Sequence, residues 1–157
     1  LSDDILVLII GARKETGAYK YFDKYVKQNN FKNIYIKGHF PVNEYLKILS
    51  ASDILVSYYS LTNPLSMHQL KPAKASPYLC AGKPLIFSDT PGLREFLTED
   101  AVFFVEPDKP KKLAQMVKYI LSNNVEATKK ASNCIKLAEY YSAQKVIERI
   151  INFSKTC

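Results

Sequence analysis

The residues best suited to chemistry lie between Ser60 and Lys83, in SLTNPLSMHQLK followed by PAKASPYLCAGK. The first twelve residues form a long polar stretch that leads into a helix start containing Pro72 and Lys74. An ammonium in the first turn of a helix opposes the helix dipole by about 0.3 kcal/mol or more. An anion at that place would offset the penalty, because free N–H groups and a cation both favour negative charge. Lys74 is therefore a candidate anion ligand, although a lysine directed at solvent satisfies the same spacing. Arg13 and Lys14 follow the first apolar run and could lend charge at a strand end, with a plain basic surface as the simpler reading. His39 and His68 are the only histidines, and neither has a partner at metal-ligand spacing, so no metal is expected. The chain contains no Gly-x-Ser-x-Gly, Walker or Gly-x-Gly-x-x-Gly motif. Glu95 reads as a charge in the first turn of a helix rather than as an acid catalyst, and no catalytic residue is assigned.

These side chains need strands and helices to place them. ILVLII (Ile5–Ile10) is continuously apolar, as for a strand covered on both faces of a parallel sheet. Gly11 ends it, and Thr16–Asn30 reads as a helix with Tyr19, Phe22 and Val26 on one stripe. Further strands are expected at Asn33–Gly38, Asp53–Ser60, Lys83–Asp89 and Ala101–Pro107. Helices are expected from Val42 to Ala51, capped by Asn43, and through the tail, where Leu113, Met116, Val117, Ile120 and Leu121 share a side. SYYS and EYYS read as packing residues rather than stacking platforms. Alternating strands and helices predict an α/β fold, a Rossmann-like three-layer sandwich with a mainly parallel sheet and a helical C-terminal tail. Ligands of such folds gather at the carboxyl ends of the strands. The segments to inspect are thus Gly11–Lys14, Gly38–Phe40, Ser60–Lys74 and Asp89–Glu95.

The chain of 157 residues suits one domain, and its 47% hydrophobic and 24% charged residues suit a folded soluble protein. The longest apolar run is too short to cross a bilayer, and no signal peptide is read at the start. Three cysteines without paired spacing, Cys80, Cys134 and Cys157, favour a reducing compartment over a disulfide framework. The net charge of +7 is shared by nucleic-acid binders, membrane-surface proteins and enzymes of phosphate-rich ligands, and selects none of them.

PAKASPYLCAGKPLIFSDTPGLREFL resembles the donor-binding segment of family 4 retaining glycosyltransferases of the GT-B type. That group often reads Pro-x-Lys-x-x-Glu-Tyr-x-x-x-Gly-Lys-Pro, an apolar strand, then Gly-Leu-x-Glu. The chain matches at Pro72, Lys74, Tyr78, Gly82, Lys83, Pro84, Gly92, Leu93 and Glu95. The resemblance extends over nearly the whole chain. It implies the C-terminal half of a GT-B fold, residues 1–157 being one nucleotide-sugar donor-binding domain without the N-terminal acceptor domain and the first strand. It implies transfer of a sugar from a nucleoside-diphosphate sugar, with retention, to a saccharide or lipid-linked acceptor. Gln69, Leu70, Lys71 and Lys74 would face the diphosphate and sugar, Lys37, Gly38 and His39 the nucleobase, and Arg13 would add charge. No cofactor is implied beyond the donor substrate. The other partners expected are an N-terminal domain of the same protein and a peripheral contact with an anionic membrane, but no nucleic acid. The location expected is cytoplasmic, at the inner face of the membrane.

Two departures qualify the resemblance. The family's Glu-x7-Glu pair falls on Gln69 and Pro77. The second glutamate accepts hydrogen bonds from ribose, and losing such a contact costs about 1.5–3 kcal/mol. Pro77 itself is tolerable, either at the first helical position after a Ser76 cap or near the end of a first turn that begins nearer Ala73. The chain also begins one strand later than the family's domain, so catalysis by the isolated chain is not expected. A degenerate homologue serving as a binding or scaffolding module is the alternative.

Overall fold

A computed structural model describes residues 4–61 and 72–155, so His68, Gln69, Leu70 and Lys71 lie outside the described residues. The chain divides into two compact units, Leu1–Tyr45 and Leu46–Cys157.

The first unit is a β–α–β element. Strand β1 (Val7–Ile9) leads through α1 (Gly17–Gln28) to β2 (Ile34–Ile36), and the strands pair in parallel, Val7 against Ile34 and Ile9 against Ile36. Thr16 caps α1, its hydroxyl accepting from the Tyr19 N–H at 3.3 Å, which satisfies one orphan donor of the first turn. Tyr19 and Val26 turn inward, whereas Phe22 is exposed. β1 departs from the sequence expectation of a doubly covered strand: Leu6 and Leu8 remain 65% and 37% exposed. Side chains alternate across a strand, and here only the face of Val7 and Ile9 is half covered. Helix α2 (Val42–Ala51) starts at the end of this unit. Asn43 lies inside it rather than capping it, the Pro41 carbonyl accepting from the Tyr45 N–H at 2.9 Å.

The second unit holds a three-stranded parallel sheet in the order β3 (Leu55–Ser57), β4 (Leu85–Ser88), β5 (Phe103–Val105). Between the strands run α3 (Ala75–Cys80) and α4 (Pro91–Arg94), and after them α5 (Pro110–Ser122), α6 (Asn124–Tyr140) and α7 (Ala143–Ser154). β4 lies between two strands and all four of its residues are buried. Leu85, Ile86 and Phe87 would each contribute about 1.5–3 kcal/mol through removal from water. On one side of the sheet Ile86, Phe103 and Val105 pack with Ile120 and Ala127, joined by Leu113, Met116 and Val117. The expected α5 stripe is thus the core face, except that Leu121 at its edge is exposed. Ala127, Ala131 and Cys134 give α6 a buried side of small residues, which permits close packing against α3. Among the described residues all strand pairs are parallel, and the expected α/β fold is present. Among the described residues no helix is long and apolar enough to cross a membrane.

Candidate functional site

The carboxyl end of the three-stranded sheet is built by five clamps. Ser88, the last residue of β4, accepts the Tyr59 N–H at 2.6 Å, and its hydroxyl approaches the Tyr59 carbonyl at 3.1 Å. This fixes the chain leaving β3 against the end of β4. The Tyr58 hydroxyl donates to the Glu106 carbonyl at 2.8 Å and accepts from the Lys109 N–H at 2.7 Å, tying the same segment to the loop after β5. The Asp108 carboxylate accepts the Leu61 N–H at 2.9 Å, and the Ser60 hydroxyl as well. Those bonds hold its acid below the ordinary carboxylate range, the Ser60 contact contributing most. After β4, the Arg94 guanidinium forks onto Asp89, with one bond at 2.9 Å, reaches Glu99 at 2.7 Å and lies over the Phe104 ring. Glu106 is held in turn by Lys112 and Lys109.

These clamps engage every carboxylate that directly follows β4 or β5, namely Asp89, Glu106 and Asp108. Lys74 has no carboxylate partner among the described residues, and its ammonium stands 5.2 Å from the centroid of the Tyr59 ring. Among the described residues, three hydroxyls at the same end are buried without a hydrogen-bond partner: Ser57 on β3, Tyr59 just beyond it, and Thr90 just beyond β4. Ser57 and Thr90 are each only 1% exposed. Thr90 occupies the cap position of α4 in extended backbone, yet its hydroxyl makes no capping bond. Each such group forfeits about 1–3 kcal/mol unless a water or ligand satisfies it.

Lys74 stands at the start of a helix, as its spacing predicts, but the helix is short. α3 has six residues, Lys74 stands at its cap position, and its backbone carbonyl accepts the Tyr78 N–H at 3.1 Å. So short a helix supplies little dipole, and the charge of the site is that of the ammonium itself. Pro77 is the third helical residue, where its missing N–H is one of the four that a helix leaves unpaired. Ser76 is therefore not the cap. Glu95 stands at the C-terminal end of α4 rather than in its first turn. Tyr59, Ser57, Ser88 and Thr90 were not anticipated, since SYYS reads as strand packing. A serine on the buried face of DILVSYYS was the available signal, because that face otherwise calls for an apolar residue.

The first unit carries the other predicted residues. At the carboxyl ends of β1 and β2, the Gly11 N–H donates to the Gly38 carbonyl at 3.1 Å and the Lys37 N–H to the Ile9 carbonyl at 2.8 Å. Gly11 has φ +86°, a conformation that glycine adopts without a Cβ penalty. A shallow pocket of about 220 Å³ opens there, lined by Ile10, Gly11, Gly38, His39, Phe40 and Tyr45 among others. Arg13 Nε donates to His39 Nε2 at 3.1 Å. The structure thus brings Arg13 to His39 and sets Gly38 and His39 in one pocket, while the Lys37 side chain is exposed. Burial raises the Tyr45 phenol above its usual range. A second pocket, about 430 Å³, runs along β5 and α5 beside Phe104, Met116 and Tyr119 and holds none of the predicted site residues. Among the described residues there is no group of three or more His, Cys, Asp or Glu able to hold a metal ion.

Comparison with known proteins bears on the fold and the family. No curated protein matches the sequence. Among solved structures, the chain superposes on Anabaena Alr3699/HepE in complex with UDP-glucose with a TM-score of 0.75 at 13% identity, covering 97% of this chain and 41% of that one. Sucrose-phosphate synthase from Thermosynechococcus elongatus gives 0.71 at 16% identity, with 99% and 46% covered. The C-terminal domain of a glycosyl transferase group 1 family protein, LpcC from Francisella tularensis, gives 0.64 at 19% identity, with 87% and 69% covered. The chain spans less than half the length of the first two, and at these identities the likeness is one of fold: that of the C-terminal domain of GT-B glycosyltransferases. The family described as "Glycosyl transferases group 1" matches residues 1–140, and the chain belongs to that family.

Proposed function

We propose that the chain is the donor-binding domain of a glycosyltransferase that moves a sugar from a nucleoside diphosphate to a saccharide or lipid-linked acceptor, with retention, in surface polysaccharide or glycolipid synthesis. One observation carries this reading: at the carboxyl end of a parallel sheet an ammonium without a carboxylate partner among the described residues stands over the Tyr59 ring, and the buried hydroxyls of Ser57, Tyr59 and Thr90 have no hydrogen-bond partner among those residues. A diphosphate supplies what that arrangement lacks. Its oxygens accept from hydroxyls, and its charge compensates Lys74 through charge-assisted bonds. Electrostatic stabilisation of the departing diphosphate is also what the transfer step requires, because negative charge grows there as the sugar leaves.

The roles follow residue by residue. Lys74 contacts the diphosphate, together with Gln69, Leu70 and Lys71. The pocket at the ends of β1 and β2 suits a planar base, with Phe40 and Tyr45 as apolar walls and backbone groups of Gly38 and His39 as polar edges. Arg13 orients His39. The domain takes a further strand and an N-terminal acceptor domain from a longer polypeptide. The acceptor reaches the enzyme from the inner face of a membrane, to which the net charge of +7 is suited. Titrating the full-length protein with UDP-, GDP- and ADP-sugars tests the reading. Saturable binding of one of them is expected, and binding of none would remove the proposal.

A second reading rests on Pro77. The family's ribose-binding glutamate is absent and α3 carries no carboxylate, which favours a degenerate homologue acting as a binding or scaffolding module. Pro77→Glu distinguishes the two. A large gain in nucleotide affinity would mark a weakened ancestral site, and an unchanged affinity would favour a site that never relied on that carboxylate.

A further inference from the structure

The Lys74 ammonium does not stand alone. It lies over the ring of Tyr59, a distance at which the negative face of the ring attracts a cation. Tyr59 is itself pinned at the backbone, its N–H and carbonyl both engaged by the Ser88 hydroxyl at the end of β4. Its phenol oxygen is buried and has no hydrogen-bond partner among the described residues. One residue thus combines a fixed backbone, a ring under the candidate phosphate-binding cation and an unspent hydroxyl. A tyrosine serving packing alone would need neither the cation nor a buried hydroxyl without a partner, and buried phenols usually find one.

We propose that Tyr59 is a donor-site residue with two tasks: its ring positions the Lys74 ammonium, and its hydroxyl donates to an oxygen of the same anionic ligand. Ser88 is the anchor that makes the positioning rigid. A long flexible lysine otherwise spreads its charge over many rotamers, and holding it in place avoids that ordering cost when the ligand arrives. This inference rests on the reading that Lys74 receives a diphosphate.

The test uses the full-length protein, UDP, GDP and ADP as probes, and the matching uncharged nucleosides as controls. Tyr59→Leu should weaken diphosphate binding roughly tenfold, the value of a well-placed cation–π contact together with one hydrogen bond. Nucleoside binding should stay unchanged. Tyr59→Phe keeps the ring and should lose only about threefold, the share of the hydroxyl. Combining Tyr59→Leu with Lys74→Ala should add little to Lys74→Ala alone, because both remove the same positioned charge. If Lys74→Ala leaves diphosphate affinity unchanged, the diphosphate reading itself fails. If Lys74→Ala weakens binding but Tyr59→Leu does not, or if the two losses add in full, the positioning role is overturned. Equal loss of nucleoside and diphosphate binding in Tyr59→Leu would mean a structural role only. Unaltered thermal unfolding of Tyr59→Phe secures the comparison should Tyr59→Leu fold poorly.

Discussion

Lys74 and Cys134 show how the surroundings of a side chain decide its behaviour. The carboxylates that directly follow β4 and β5, Asp89, Glu106 and Asp108, are already engaged, and Lys74 has no carboxylate partner among the described residues. Cys134 is the opposite case. Its thiol is fully buried in α6, donates to the Ala101 carbonyl at 3.0 Å, and burial pushes its pKa from 9.0 up to about 12. Folding therefore favours the protonated thiol. The stability this provides is present in full below about pH 9 and is lost as pH rises towards about 12. Guanidinium unfolding should show a lower midpoint at pH 10 than at pH 7, and Cys134→Ala should shrink that difference. An equal drop in the variant would assign the effect to other groups. Iodoacetamide at pH 8 should modify the exposed Cys80 in the folded protein and spare Cys134, which mass spectrometry reads directly. Neither residue's state follows from composition, because it depends on what other segments bring to its side.

Short elements with firm ends position the site. Gly82 ends α3 in the left-handed region, at φ +60°, and turns the chain into β4. A Cβ there would lie 2.8 Å from Ile135 Cδ1 on α6, besides the backbone strain. Gly82→Ala should cost about 1–2 kcal/mol and lower the melting temperature by several degrees. A neutral result would mean that the α3–β4 turn relaxes freely. Arg94 closes the turn after β4 by joining Asp89, Glu99 and the Phe104 ring. Its side chain is partly exposed, so Arg94→Ala should cost about 1 kcal/mol or less. A larger loss of donor affinity than of stability would place the turn in the site.

Elements of this kind were largely visible in the residues. Gly-Lys-Pro before an apolar run marked β4, and the 3.6-residue spacing of Leu113, Met116, Val117 and Ile120 marked the core face of α5. The edges were less visible. The cap of α3 depends on a backbone carbonyl at Lys74 rather than on a capping side chain, so Ser76 was a false signal. The orphan hydroxyls of Ser57 and Thr90 are defined by the absence of partners, which no linear pattern displays.

Across the described residues, burial is uneven in a way that continuous apolar runs conceal. ILVLII and KPLIFS look alike in sequence, yet β4 is buried throughout while β1 leaves Leu6 and Leu8 exposed. Hydrogen exchange should accordingly be slowest at Ile86 and Phe87 and faster at Leu8 and Tyr35, since the most deeply buried segments open last. Equal protection of the two regions would contradict the burial pattern.

Membership of the group 1 glycosyltransferases rests on the whole run of residues 1–140, whereas the proposed donor site rests on a handful of atoms around Lys74. Calorimetric titration of the full-length protein and its Lys74→Ala variant with the nucleoside diphosphate it binds separates the two. The ammonium is expected to contribute about 1.5–3 kcal/mol, so the variant should bind roughly ten- to a hundredfold more weakly. Equal affinity in the two proteins would leave the family assignment standing and remove the anion site from the carboxyl end of β3 and β4.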